Sequence, residues 1–295
     1  MRFDFVNFLK CVAIIMITNS HLKWLYPENL SSLACGGAWG CALFFFCSGY
    51  TMAHTKVDNF INYALKRILR LYPAIWIWYL ITLGYQDDFQ WMYIILPRYW
   101  FIRAILLFYV LFYFVLKYFN NYLPIIALIS FSLSFAIYCN IEQNQWFIDL
   151  TNQPQLITWY YYFSIMLLGA WLRDRNIYQI KTSFFLLTLS VAVSFLSVYL
   201  VKFICISKEL YYLQILFPIL LILSCVGFSF FRPFFFQNKL KYIIDFIARH
   251  TLEIYVTQGV IIALFEKLTV PYHLGGGILC SCDCRFSNHY SFPRW

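Results

Sequence analysis

Four polar residues fall on one side of the first apolar stretch of the chain. At about 100° per residue, Asn7, Lys10, Thr18 and His21 lie within an arc of about 80° on one helix face. An imidazole titrates close to neutral pH, so His21 is suited to take a proton from an alcohol and return it to a leaving group. Lys10 and His21 are about 16 Å apart along the axis, so they cannot share one proton but can hold two ends of a long substrate.

The two ionisable residues of this face also have ordinary structural explanations. His21 can be an interfacial histidine at a helix end, and Lys10 can extend its ammonium group to the inner headgroups. Ionisable groups inside a membrane span are costly, which makes each one a functional candidate. The shared face favours function, because the two groups would otherwise need separate explanations.

The composition places this helix in a membrane. The 295 residues are 62% apolar and only 12% charged, against roughly 25% charged in an ordinary soluble domain. Apolar runs of about 20 residues recur, each long enough to cross a hydrocarbon core. Runs such as residues 184–201 are apolar on nearly every face, unlike the alternating strands of a β-barrel. The predicted fold class is all-α, a polytopic transmembrane helical bundle of about nine to ten spans.

Nine spans can be assigned directly, and their loops orient the chain. The spans cover residues 5–22, 34–54, 71–85, 100–117, 123–140, 157–172, 182–201, 210–231 and 251–266. With a cytoplasmic N-terminus, the three most basic loops all face the cytoplasm, as the positive-inside rule expects. The net charge of +9 is therefore explained by the lipid bilayer as partner, and no nucleic acid is expected. We predict a multi-pass protein of the cell membrane, the inner or plasma membrane.

Two further segments have the pattern of amphipathic helices lying on the inner leaflet. They are residues 57–70 and residues 238–249, each with apolar residues on one side and lysines or arginines elsewhere.

The last residues differ in kind from the rest. Residues 1–274 are predicted to form the transmembrane domain, and residues 275–295 an irregular tail, either native or the product of an altered reading frame that replaced a last span. Cysteines and histidines near the tail invite a metal-site interpretation: His273, Cys280, Cys282, Cys284 and His289. Zinc ligands usually come in Cys-x-x-Cys pairs on a scaffold, so no metal site is predicted.

Several motifs of the chain resemble those of the membrane-bound acyltransferase 3 family. In the family's first helix, a basic residue precedes an essential catalytic histidine by ten intervening positions, as Lys10 precedes His21 in FLKCVAIIMITNSH, residues 8–21. The family's basic residue is most often arginine. Lys10 keeps the positive charge but lacks the bidentate fork of a guanidinium.

The resemblance continues along the chain. LFFFCSGY, residues 43–50, is similar to a phenylalanine run ending in Ser-Gly-Phe, and RILRLYP, residues 67–73, to an Arg-x-x-Arg motif leading into a proline-started third helix. Residues 99–102 and 252–256 resemble weaker markers. The family's late helix often ends in a histidine where this chain has Gln258, and no role is assigned to that position.

The resemblance implies an O-acyltransferase, with acetyl as the expected acyl group. It implies acetyl-CoA as donor substrate, no bound cofactor, and as acceptor a hydroxyl of a cell-surface or lipid-linked saccharide. Polysaccharide-assembly proteins are the expected partners. In this interpretation His21 and Lys10 are the catalytic residues, and His21 is the base. Arg67 and Arg70 bind donor phosphates. The expected supporting residues are Asn7, Thr18, Ser48, Gly49 and Trp100.

Alternatives stay open at this point. His21 can attack the thioester itself or only activate the acceptor. Arg67 and Arg70 can be ordinary positive-inside anchors. A polytopic transporter or flippase of lipid-linked sugars would also carry buried ionic groups, although no paired repeats are visible. A non-catalytic anchor or sensor would need neither Lys10 nor His21.

Overall fold

The computed structural model shows a bundle of helices. It describes residues 4–27, 30, 33–34, 36–55, 59–82, 92–95, 99–140, 155–174 and 239–269. Every regular element in these ranges is helical, which confirms the all-α prediction. The helices are α1 (Asp4–His21), α2 (Gly37–Met52), α3 (Phe60–Thr82), α4 (Met92–Ile95), α5 (Trp100–Tyr118), α6 (Leu123–Asn140), α7 (Gln155–Asp174), α8 (Lys239–Arg249) and α9 (Thr251–Thr269).

Most predicted spans coincide with a helix to within a few residues. This holds for α1, α2, α5, α6, α7 and α9, and α8 coincides with the predicted amphipathic segment 238–249. The predicted spans 182–201 and 210–231 and the tail 275–295 lie outside the described residues. The count of nine to ten spans and the division at residue 274 therefore stay predictions.

Helix α3 differs from what the sequence suggested. The amphipathic segment 57–70 and the predicted span 71–85 are joined in one helix, Phe60–Thr82, and Pro73 lies inside it. The expectation of a third helix that begins at Pro73 is therefore wrong. A proline removes one backbone hydrogen bond and usually ends a helix, but helices in membranes tolerate it because neighbouring groups and local adjustments satisfy the freed carbonyl. Arg67 and Arg70 consequently lie on the same helix as the span itself.

Helix α2 forms the centre of the bundle. Twelve of its sixteen residues are buried, and it packs between α1 and α7. Helices α1 and α2 run antiparallel: the Phe5 ring lies 4.9 Å from the Tyr50 ring at one end, and Gly40 lies against Ala13 further along. On its other side, Phe45 contacts Tyr162 with 5.1 Å between ring centroids. Helix α1, which carries the predicted site, is thus held by the most buried helix of the described bundle.

Two glycines allow α2 and α7 to approach at backbone distance. A Cβ atom on Gly49 would lie 1.8 Å from the carbonyl oxygen of Met166, and one on Gly169 would lie 2.3 Å from the carbonyl oxygen of Phe46. Neither distance can accommodate a side chain. Small residues at helix crossings are a common means of association in membranes, where apolar burial alone gives little driving force.

Helix α1 contacts α8 near its start and α9 near its end. Near its start, Asn7 Nδ2 donates to Asp245 Oδ1 of α8 at 2.7 Å. Near its end, Thr18 Oγ1 donates to Gln258 Oε1 of α9 at 2.6 Å. The partners are thus in the same order along both segments. A parallel arrangement is compatible with α1 and α9 as the first and last of an odd number of spans.

Many large apolar side chains point away from the bundle. Leu69, Leu80 and Ile129 are 70%, 69% and 61% exposed. Among the described residues, two helical stretches are long and apolar enough to cross a membrane, Trp100–Tyr118 and Asn120–Ile137, and Phe5–His21 is a shorter apolar helix. Outward-facing leucine and isoleucine along whole helices are unfavourable in water and suit a hydrocarbon environment.

Candidate active site

The polar face of α1 contacts other helices along its length. Asn7 is buried, with only 7% of its surface exposed, and is hydrogen bonded to α8. Lys10 follows one turn later and lines a cavity. Thr18, half-buried, is hydrogen bonded to α9. The face on which these residues lie is therefore directed into the bundle, where polar groups are costly unless they are paired or used.

One cavity joins several of the predicted site residues. It has a volume of about 80 Å³ and is lined by residues of α1, α2, α3, α5 and α9, among them Lys10, Ser48, Arg67 and Arg70. We call it the basic cavity, because three of its lining residues are cations and none is acidic. Its remaining lining is largely apolar and aromatic, from Phe44, Met52, Leu71, Phe101, Ile105, Tyr109, Leu252 and Tyr255. Such a lining favours a ligand that carries a negative charge next to an apolar group.

Arg67 is held in place by residues around the basic cavity. Its Nη2 donates to Thr55 Oγ1 at 3.1 Å. Its guanidinium lies 5.1 Å from the Tyr63 ring centroid and 5.8 Å from that of Tyr109, within the range of cation–π attraction. Its Nε is buried and has no hydrogen-bond partner within the described part of the protein. A buried N–H without an acceptor is costly, which makes it a candidate contact for a ligand.

Arg70 is placed differently. It is exposed, lines the same cavity and lies near Tyr109, whose hydroxyl is also in contact with Ser48. One turn of α3 therefore presents a fixed guanidinium and an exposed one to the same space. Together with Lys10 from α1, they form a cationic cluster in which the fixed group sets the geometry and the exposed group can follow the ligand.

His21 lies at the other end of α1 and does not line the basic cavity. It is the last residue of the helix and is exposed. The chain after it is tied back by Asn19, whose Nδ2 donates to the carbonyl oxygen of Leu33 at 2.8 Å and whose Oδ1 accepts from Tyr26 at 2.5 Å. The helix end that carries His21 is thus fixed, about 16 Å along the axis from Lys10.

Two of the predicted supporting residues have packing contacts. Gly49 is buried against Met166 of α7. Trp100 begins α5 and is half-buried, with its ring stacked on Tyr162 at 5.8 Å. Neither lines the basic cavity. Ser48, by contrast, does line it, as does Thr51 one turn later.

The structure also brings in residues to which the sequence interpretation assigned no role. Thr251 and Tyr255 of α9 and Tyr109 of α5 line the basic cavity, and Gln258 contacts Thr18. The sequence does indicate that the α9 residues lie together, because Thr251, Tyr255 and Gln258 are spaced by four and three positions and share one helix face. The contact of that face with α1 was not visible, since it joins residues about 240 positions apart.

One of three comparisons with known proteins identifies the family of the chain. A family model described as an acyltransferase domain, that of the acyltransferase 3 family, matches residues 3–282. No curated protein and no solved structure matches the chain. The matched region includes every helix of the described bundle. The chain belongs to the acyltransferase 3 family, a family of membrane-associated acyltransferases.

Proposed function

We propose that the protein moves an acyl group, in the first instance acetyl, from a coenzyme A thioester to a hydroxyl of a cell-surface or lipid-linked saccharide. The observation that supports this most directly is the basic cavity, into which Lys10, Arg67 and Arg70 converge from two helices without a lining carboxylate. Clustered cations repel one another, which raises the free energy of the protein inside a membrane. Binding of a polyanion offsets this repulsion. The phosphates of coenzyme A supply such charges.

The placement of His21 fits the same reaction. A donor anchored by its phosphates in the basic cavity has its thioester at the end of a long flexible arm, which lies along α1 toward His21. There the imidazole takes the proton of the saccharide hydroxyl, and the alcohol attacks the thioester carbon. The proton then goes to the departing thiolate. Lys10 and the two arginines bind and orient the donor in this proposal, and His21 performs the proton transfer.

The proposal extends to location. The protein lies in the cell membrane as a multi-pass protein with its N-terminus and basic cavity on the cytoplasmic side, where acyl-CoA is made. His21 then lies toward the outer side, where the saccharide and its assembly proteins are. The reaction thereby connects a cytosolic donor to an acceptor across the membrane.

Surface glycans provide the test. Cells lacking the gene are complemented with the wild-type protein, with His21→Ala, or with the matched control His54→Ala, an exposed histidine outside the basic cavity. Mass spectrometry should show one acetyl substituent restored by the wild-type and H54A proteins and absent with H21A. Restoration by H21A at equal protein abundance would contradict the role of His21. An unchanged glycan in the deletion strain would contradict the saccharide acceptor.

A further inference from the structure

A hydrogen bond between α1 and α9 orients an amide close to His21. Thr18 Oγ1 donates to Gln258 Oε1 at 2.6 Å, and Gln258 is only 7% exposed. Because the carbonyl oxygen accepts from Thr18, the amide nitrogen with its two N–H donors is directed elsewhere. The amide is therefore fixed in one orientation, and no hydrogen bond from its donor side is seen within the described part of the protein.

The position of this amide relative to His21 follows from helix geometry. Thr18 and His21 are three residues apart on α1, on the same face and separated by about 4.5 Å along the axis. Gln258 meets α1 at Thr18 and is thus at nearly the level of the imidazole. A thioester close enough to react at His21 would have its carbonyl oxygen near this part of α9.

Acyl transfer develops negative charge on the thioester oxygen, and the residues assigned a role so far do not stabilise it. When the alcohol attacks, its proton passes to His21, an O–C bond forms, and the electron pair of the C=O bond moves to oxygen. An oxyanion is the result. It collapses by re-forming C=O and breaking the C–S bond, and the thiolate takes the proton from the imidazolium. Preorganised N–H donors aimed at such an oxyanion are among the largest contributions to catalysis.

We propose that Gln258 is a further catalytic residue, whose amide N–H stabilises this oxyanion, and that Thr18 is a positioning residue that holds the amide in place. The inference rests on the proposed acyl transfer. It holds for direct transfer and for transfer through an acyl-histidine, because the thioester carbonyl becomes an oxyanion in both. The positive charges at Lys10, Arg67 and Arg70 do not replace Gln258, since they lie at the opposite end of α1.

A pair of isosteric variants separates this role from a purely structural one. Gln258→Met removes both the acceptor and the N–H donors, whereas Thr18→Val removes only the hydroxyl and leaves the donors. Both break the same hydrogen bond. If the bond serves only to join α1 to α9, the two variants lose the same activity. If Gln258 acts on the oxyanion, Q258M loses much more.

The kinetic assay uses purified full-length protein, acetyl-CoA, and surface polysaccharide isolated from cells that lack the gene. We expect kcat to fall by about 100-fold or more in Q258M and by about 10-fold or less in T18V, with both KM values within about threefold of the wild type. Equal losses in the two variants, or a change in KM alone, would overturn the inference. An inactive wild-type protein would instead contradict the proposed function.

If Q258M does not fold, a spectroscopic measurement tests the role of Gln258 instead. His21→Ala binds acetyl-CoA without turnover in the proposed mechanism, so acetyl-CoA labelled with ¹³C at the carbonyl can be observed in the complex by infrared difference spectroscopy. We expect the carbonyl stretch to lie below that of free acetyl-CoA because the Gln258 N–H donates to it. A stretch at the free frequency in H21A, with acetyl-CoA bound, would overturn the role of Gln258.

Discussion

Gly49 of α2 touches the backbone of Met166 of α7 so closely that a Cβ atom there would lie 1.8 Å from the Met166 carbonyl oxygen. The neighbouring Ser48 lines the basic cavity. Among the described glycines, the one with the closest neighbouring backbone therefore directly follows a residue that lines the basic cavity.

Substituting Gly49 should therefore destabilise the protein. We expect Gly49→Ala to lower the free energy of unfolding by about 1–3 kcal/mol, the range for overpacked sites, because a carbonyl oxygen cannot move aside as a flexible side chain can. The matched control is Gly259→Ala in α9, where a Cβ atom would meet, among the described residues, the Tyr99 side chain with its hydroxyl at 3.6 Å. Thermal unfolding in detergent measures both, and equal midpoints for G49A and G259A would contradict the close approach.

The charge at Lys10 should matter more than its shape. In the proposed function Lys10 contributes to donor binding, so Lys10→Met should raise KM for acetyl-CoA by about tenfold or more, corresponding to about 1.4 kcal/mol or more. Lys10→Arg keeps the charge and adds a bidentate fork, and should retain activity. Donor titrations of the two variants give the measurement. Loss of activity in K10R with an unchanged donor affinity would contradict a role in phosphate binding.

The hydrogen bond between Asn7 and Asp245 should stabilise the attachment of α8 to α1. Asp245→Ala leaves the buried Asn7 amide without its acceptor, and we expect a loss of about 1–3 kcal/mol in unfolding free energy. Asp245→Asn keeps an acceptor oxygen and should lose less. Tyr242→Phe on the exposed side of α8 is the control, since Tyr242 is 70% exposed. Identical unfolding midpoints for D245A and Y242F would contradict the stabilising role.

Reporter fusions test the proposed orientation. Alkaline phosphatase is active only outside the cytoplasm, and we expect activity when it is fused after Leu33, beyond the end of α1. Green fluorescent protein should fluoresce when it is fused after His54, beyond the end of α2. The same two reporters exchanged between these positions provide the control. Phosphatase activity after His54, with none after Leu33, would reverse the orientation and place His21 in the cytoplasm.

Local patterns predicted the helices well, for physical reasons. Apolar runs of membrane length determine where α1, α5 and α6 begin and end, because backbone groups in hydrocarbon must be paired within the helix. The polar face of α1 was predicted by its periodicity, since Asn7, Lys10 and Thr18 are related by helix geometry alone. The convergence of Lys10 with Arg67 and Arg70 in one cavity was not predicted by periodicity. The family motifs suggested donor binding for Arg67 and Arg70 and a catalytic role for Lys10.

The features that could not be predicted from the sequence depend on contacts between distant segments. No local rule shows that Asp245 meets Asn7 or that Gln258 meets Thr18, because each pair is formed only when α8 and α9 pack beside α1. The continuity of α3 through Pro73 was also missed, since proline ends helices in water far more often than in a packed membrane bundle. Tyr109 was overlooked among 24 tyrosines, as nothing in its neighbours distinguishes it from lipid-facing aromatic residues.

The alignment of α1 with α8 and α9 has a consequence for biosynthesis. The hydrogen-bond partners of Asn7 and Thr18 are synthesised 238 and 240 residues later. Until then, the first helix is in the bilayer before either of these hydrogen bonds can form. A polypeptide interrupted before α8 therefore lacks both of the hydrogen bonds that join α1 to the late helices.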